Sequence, residues 1–376
     1  MNWPNLYDMA YLEAAERVLR SQRYTQGAEQ AALEAEFVRW LGVDDMHAVA
    51  VTNGTAALQA ALLAHGILPG DEVIVPALTF TATGLAVKRV GAVPVFVDID
   101  PQTLTIDVDQ LNYAVTPRTK AVIAVDLDGH PAHYDALEPF CEGRGLFLLE
   151  DACPAHGSVL DGRICGTFGD AAAFSMNQTK IHGVGEGGMV VTRHAHLAVR
   201  VRALRDFGEV ERRKLRVSTL MGDNWKLDEM GAAMARVSLA FLEERIRTCV
   251  ENCGVLDEAM NGLHWIRRPH IRPGAYVVRH KYRARINGKR EAIENEMTVA
   301  GIPVTVTDVL PLPHHPVFEH EQADVPQADL AVENTVVIGS RESPLWAVSR
   351  DAVAVWGDKL RGVETRLWST MKGANR

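Results

Sequence analysis

The chain has 376 residues, 47% of them apolar and 23% charged, with a formal net charge of −9. That length is enough for one large or two unequal domains with a sizeable core, and the acidic balance argues against a general nucleic-acid binder, which would be basic. No apolar run approaches a membrane span; the start, Met1-Asn2-Trp3-Pro4, lacks the basic head and apolar core of a signal peptide, and five cysteines (Cys141, Cys153, Cys165, Cys249, Cys253) suit a reducing cytoplasm better than a disulfide framework.

Residues 7–42 carry helical spacing twice, through Tyr11, Ala14, Ala15 and Val18 and again through Leu33, Phe37, Val38 and Leu41, with a polar break from Arg20 to Gly27. From residue 48 to 115 strand and helix alternate. Ala48 to Val51 is a strand, Thr52-Asn53-Gly54-Thr55-Ala56-Ala57-Leu58 is a small-residue turn opening a helix over 55–65, and Glu72 to Pro76 is the next strand. A helix opened by Thr79-Phe80-Thr81-Ala82-Thr83 and ending near Gly91 leads to the strand Val93–Val97. Repeated units of this length predict a parallel, doubly wound sheet. Ala121 to Val125 is another strand, followed by Asp126, and Tyr134 to Gly143 is a helix.

Leu146 to Leu149 reads as a buried parallel strand that ends in Glu150-Asp151, at the strand end where open α/β sheets place ligands. Ala171 to Phe174 is a further strand. It runs into Ser175-Met176-Asn177-Gln178-Thr179-Lys180, then a glycine-rich turn, then a second apolar run. Taken alone, Lys180 fits a solvated surface lysine. Held between two rigid strands, it also fits an amine nucleophile that forms Schiff bases. Pyridoxal phosphate needs a lysine for its aldehyde and an acid for its pyridinium nitrogen, and Lys180 with Asp151 supplies both. The turn at Gly54, Thr55 and Ala56 adds helix N-terminal N–H groups that favour a phosphate.

Further along, a basic helix spans 195–208, a polar loop with Arg212-Arg213-Lys214 spans 209–220, and one long helix spans 232–260. Its Cys249 and Cys253 stand one turn apart; without nearby ligand partners they are helix-face residues rather than a zinc pair. Tyr276 to Ile286 is strand-like, Arg290 to Ala300 a helix, and a strand starts near Gly301. His314-His315 lies in a proline-rich loop with no carboxylate or third histidine spaced to make a metal site. Trp346, Trp356 and Trp368 are packing residues. The division expected is residues 1–245 for an N-terminal arm and large domain and 246–376 for a small one.

Asn53-Gly54-Thr55-Ala56-Ala57-Leu58, Glu150-Asp151-Ala152-Cys153-Pro154-Ala155-His156-Gly157, Gly169-Asp170-Ala171-Ala172-Ala173-Phe174-Ser175 and Lys180 with Gly185-Glu186-Gly187-Gly188 occur in series. Together they resemble the DegT/StrS family of pyridoxal-phosphate aminotransferases of sugar-nucleotide and aminocyclitol biosynthesis. The match runs from about Tyr24 to Ala240 and fades beyond residue 320. The resemblance implies a fold-type-I α/β architecture: a large domain with a mostly parallel sheet flanked by helices, and a smaller α+β C-terminal domain. It implies pyridoxal 5′-phosphate bound by Gly54, Thr55, Ala56, Phe80 stacked on the ring, Asp151, Ser175 and Lys180. Pyridoxamine 5′-phosphate is the aminated form, and glutamate or glutamine is the donor. It also implies that Asn224, in Gly222-Asp223-Asn224-Trp225-Lys226, reaches the phosphate of a second subunit, so that a homodimer shares its sites. The Arg20–Gly27 break would lie near the site, although it fits a plain interhelical loop equally.

Several positions depart from that pattern. Many relatives carry histidine at Asp126, which puts a substrate-side contact in doubt, and Gln or His at Pro154, a ring-hydroxyl contact that proline cannot make. Asn177 is polar where sugar enzymes are often aromatic, His182 stands at a usually apolar position and either reaches substrate or fills space, and Lys226 replaces an arginine without its fork. Asn177, His182, Lys226 and His314 are the candidate substrate-side residues. The activity expected is transfer of an amino group to a ketone on a sugar nucleotide, aminocyclitol precursor or related cyclic intermediate. The alternatives are a lyase, a dehydratase (disfavoured by Lys180, since histidine replaces it there) or a regulatory binding protein on the same fold.

Overall fold

The computed structural model describes residues 8–212, 215–305, 309–340 and 342–373. Arg213, Lys214 and the side chain of Trp368 lie outside that set.

Helices α1 (Asp8–Ser21) and α2 (Ala28–Leu41) form the N-terminal arm, and Gly42 closes α2 in the left-handed region. Seven strands then form the main sheet among the described residues: β1 (His47–Val51), β2 (Glu72–Pro76), β3 (Val93–Val97), β4 (Thr119–Val125), β5 (Phe147–Asp151), β6 (Ala171–Ser175) and β7 (Gly188–Thr192). Their order is β1-β7-β6-β5-β4-β2-β3. The run from β3 to β6 is parallel, while β7 is antiparallel to both its neighbours. The apolar runs of β4 to β6 follow from burial on both faces. Helices α3 (Gly54–His65), α4 (Ala82–Arg89), α5 (Tyr134–Glu142) and α6 (Ala195–Arg205) connect and cover these strands. The α/β, mostly parallel architecture expected is therefore the one observed.

Three expectations change. The polar loop over 209–220 contains an antiparallel hairpin, Glu209–Arg212 against Leu215–Ser218. The charges interspersed in its sequence mask the alternation; in register, position 210 pairs with 217 and position 211 with 216. The single long helix is two, α7 (Glu229–Ala240) and α8 (Leu242–Ala259), broken at Phe241. The break lets α7 pack on α1 and α2 while α8 packs on the C-terminal helix α11 (Arg350–Gly373), which closes after α9 (Arg290–Val299) and α10 (Pro326–Glu333). The strand-like run 276–286 also divides. Ala275–Tyr276 pairs with Val159–Leu160, whereas β8 (Tyr282–Ile286) pairs with β9 (Thr335–Ile338) in a separate four-stranded sheet.

One apolar cluster runs from Phe37 and Phe174 through Leu242, Ile246 and Leu256 of α8 to Tyr282, Ala284 and Val336. Trp346 and Trp356 are buried in it. Cys249 and Cys253 are buried too, their thiols donating to the Arg279 carbonyl, and all five cysteines are free. Among the described residues no helix is long and apolar enough to cross a membrane.

Candidate active site

The site forms where β5 and β6 end beside the start of α3. Asn53 caps α3, its Oδ1 accepting the Ala56 N–H at 2.8 Å. Ala57 donates to the Asn53 carbonyl at 3.1 Å, so the N–H groups of Gly54 and Thr55 remain as donors at the positive end of a twelve-residue helix. Close packing sets the residue types here. A Cβ on Gly54 would lie 2.9 Å from both Cys153 Sγ and Ser175 Cβ, and one on Gly188 would lie 2.3 Å from the Asn53 carbonyl oxygen. The helix start is pressed onto the β6–β7 hairpin, with Ser175 beneath it, its Oγ accepting the Asn177 N–H at 3.3 Å.

Asp151 ends β5 and is 4% exposed. Its Oδ2 accepts from Thr83 Oγ1 at 2.8 Å and its Oδ1 from the Cys153 N–H at 3.3 Å. Thr79 lies 3.2 Å behind Thr83. Among the described residues Asp151 thus has neutral donors and no ion-pair partner. A buried carboxylate in that state favours a cationic N–H. Phe80, at the head of α4, is 69% exposed, which leaves its ring free to cover a ligand. The threonine pair was missed from the sequence, although Thr79 and Thr83 stand four residues apart at a helix start.

Lys180 is half-buried in a turn tied down at both ends: its N–H donates to the Asn177 carbonyl at 2.8 Å, and the Gln178 N–H donates to the Gly185 carbonyl at 2.9 Å. Burial lowers its pKa, and repulsion from Lys281 adds to this, while Cys153, Asp151 and Asp128 act in the opposite sense without restoring it. The amine therefore spends more time neutral than an exposed lysine, the form that attacks a carbonyl.

The four side chains expected on the substrate side are engaged elsewhere. The Asn177 amide is spent on its own turn, Oδ1 accepting from the Thr179 N–H and hydroxyl at 3.1 and 2.9 Å and Nδ2 donating to Glu186 at 2.8 Å. His182 is fully buried, with Nε2 3.0 Å from the Ala235 carbonyl and its ring stacked on Phe37. Burial holds its pKa down at about 4, so it fills space as a neutral ring. Beside it His156 packs among Trp40, Phe174 and His182. Lys226 Nζ is 2.7 Å from Asp206 and lies over the Phe207 ring. His314 Nε2 is 2.6 Å from Asp329, a carboxylate that sequence spacing did not reveal. Asp126, where many relatives were expected to carry histidine, is fully buried: Oδ1 accepts the Ala132 N–H and the Tyr134 hydroxyl, and its carboxylate lies within 4.8 Å of Glu150 and Cys165. Asn224 is exposed at the rim, next to the 209–218 hairpin.

The chain belongs to the DegT/DnrJ/EryC1/StrS aminotransferase family, which it matches over residues 7–344. It is 37% identical over 354 residues to the dTDP-3-amino-3,4,6-trideoxy-alpha-D-glucose transaminase of Streptomyces venezuelae, covering 92% of each chain. It is 35% identical to a Geobacillus stearothermophilus protein named as a pleiotropic regulatory protein, over 86% of this chain and 87% of that one. In structure it resembles S. venezuelae DesV solved in complex with a ketimine intermediate, with a TM-score of 0.89, 34% identity and 95% of each chain covered.

Proposed function

We propose that this chain is a pyridoxal-phosphate-dependent aminotransferase that moves an amino group from glutamate or glutamine to a ketone on a sugar nucleotide, an aminocyclitol precursor or a related cyclic intermediate. The observation that carries this reading is the buried Asp151 carboxylate without a cationic partner, set beside a lysine whose pKa is lowered and a free helix N-terminus. These groups fit the cofactor. Gly54, Thr55, Ser175 and the start of α3 would hold its phosphate, Phe80 would cover its ring, Asp151 would hold the ring nitrogen protonated, and Lys180 Nζ would bind it covalently. When bound, the cofactor supplies an electron sink for negative charge formed at the substrate carbon.

The chain's own groups do the rest. Thr83 orients the Asp151 carboxylate through one charge-assisted hydrogen bond. The Lys180 amine would take the proton from the donor's α-carbon in the first half-reaction and give a proton to the former carbonyl carbon in the second. Its lowered pKa favours the proton-accepting state. Phe80 excludes water from one face of the site.

The site is completed by a second copy of the chain in this reading. Asn224 is exposed and, among the described residues, its side chain makes no hydrogen bond, its backbone N–H donating to Asp223, and beside it Met221 (93% exposed), Leu215 and Phe207 form an exposed apolar rim of the kind that dimers cover. The protein is proposed to work in the cytoplasm as a homodimer. The regulatory name of one relative keeps a binding protein without turnover as the second reading.

The deciding experiment is an absorbance spectrum before and after glutamate or glutamine is added, with Lys180→Ala alongside. The expected result is a visible band from lysine-bound cofactor that the donor discharges and that the variant lacks. A stable band that no amino donor discharges would favour the binding protein, and no band with added pyridoxal phosphate would end both readings.

A further inference from the structure

Four cations alternate along one strand and its approach: Arg279, Lys281, Arg283 and Arg285. Period two puts them on one face, while Tyr282, Ala284 and Ile286 on the other face are buried in the apolar core. All four cations line one cavity of about 40 Å³, together with Asp128 and His130. Three of them are committed. Arg279 pairs with Asp257 at 2.6 Å, Arg283 pairs with Asp128 at 2.5 Å, and Arg285 donates to the carbonyls of Pro101 and Gln102. Lys281 is partly buried and, among the described residues, has no hydrogen bond or ion pair. Leaving a lysine unpaired in such a place costs free energy unless something anionic meets it.

Its placement is not a loose surface accident. The backbone leading to it is clamped: the Val278 N–H donates to Ser158 Oγ at 3.0 Å, and a Cβ on Gly129 would lie 2.1 Å from the Val278 carbonyl oxygen. The segment is thus pressed against the loop that follows Asp151. The cavity lies at the same sheet edge as the candidate site: the Asp126 N–H donates to the Asp151 carbonyl at 3.2 Å, and Leu127, Asp128 and His130, which follow directly, line the cavity; Lys281 and Asp128 both act on the charge of Lys180. By contrast Lys226, the lysine among the expected substrate-side residues, is paired with Asp206.

We propose that Lys281 receives a carboxylate of a reacting partner in the cavity beside Lys180. This rests on the aminotransferase reading. A volume of about 40 Å³ admits one small anionic group and not a nucleoside diphosphate. The carboxylate belongs to the amino donor or to the keto acceptor, and the ammonium holds that molecule with its reacting carbon toward Lys180.

The test uses the full-length protein with Lys281→Gln and Lys281→Arg. Calorimetry with succinate alone reads the anion site without turnover: binding is expected to weaken about tenfold or more in the Gln variant, the effect of losing one charged hydrogen bond, and to survive in the Arg variant. Donor and acceptor half-reactions are then followed separately, with glutamate and with 3-oxocyclohexanecarboxylate set against cyclohexanone. A KM rise of about tenfold for glutamate assigns the site to the donor. A rise for the carboxylated ketone and not for cyclohexanone assigns it to the acceptor. Unchanged succinate binding and unchanged KM values, with only a shifted pH profile for Lys180, overturn the proposal. Lys281-dependent succinate binding in a protein that forms no cofactor band would overturn the aminotransferase reading and leave the anion site standing.

Discussion

The floor of the site and its rim are built differently. On the floor, Gly54, Asp151 and Ser175 sit at the ends of central elements, each less than one-tenth exposed, and fixed by strand pairing and backbone contacts. The rim from Asp206 to Lys226 is a two-stranded hairpin with exposed apolar side chains. It is pinned by a web of charges in which Asp206 meets Gln26, Arg216 and Lys226. A floor of this kind is preorganised and needs no second chain. A rim of this kind pairs its charges internally and leaves its apolar groups and Asn224 uncovered.

The contrast can be tested at its strongest point first. Asp151→Asn should lower kcat by about 10²–10³-fold, the size of effect seen when one preorganised electrostatic partner is removed. Thr83→Val, which leaves the carboxylate but removes its orienting hydroxyl, should cost only about tenfold, and single-turnover kinetics of the donor half-reaction would separate the two. Equal losses would mean that the threonine, not the acid, sets the floor.

The rim is tested by mixing. Lys180→Ala and Asn224→Ala chains are each expected to be impaired, the second by about tenfold in cofactor affinity through one lost hydrogen bond to a charged group. Co-refolded, they should regain activity in mixed dimers that hold one complete site. Absence of complementation, with dimers seen by sedimentation, would place Asn224 in its own chain's site.

The smallest effect concerns stability. Burial raises both Asp126 and Glu150, and their proximity makes the rise larger for Glu150. The folded pair therefore keeps a proton that the unfolded chain has already released, and folding takes one up. Stability from this source is full below the ordinary carboxylate range and falls as pH rises through the raised values. Asp126→Asn removes one of the two titrating groups and its repulsion of Glu150, so its melting temperature relative to the parent should climb between pH about 4 and pH above 6. A difference that stays flat with pH would show that the pair does not share a proton.

What was legible follows from this division. Asp151 and Lys180, and the turn at Gly54, lie where strand ends and a helix start meet, and their types are dictated by backbone geometry that short motifs record. Asn177, His182, Lys226 and His314 were read by position along the chain, but their partners (Glu186, Ala235, Asp206 and Asp329) are set by tertiary contacts. The alternation from Arg279 to Arg285 was present in the sequence all along. The expected strand covered it, yet its charged face had no meaning until the cavity and Asp128 were in place. The hairpin over 209–218 was hidden for a related reason, since a strand without a buried face carries almost no hydrophobic period.

The apolar seam along α8 has a mechanical consequence. Because Leu242, Ile246 and Leu256 belong to one core with both Phe174 of the main sheet and Val336 of the smaller one, hinging the two sheets apart would expose greasy surface to water. Swinging them as a clamshell is thus an expensive way to admit a substrate. A route to Lys180 that leaves the two sheets together keeps that surface out of water.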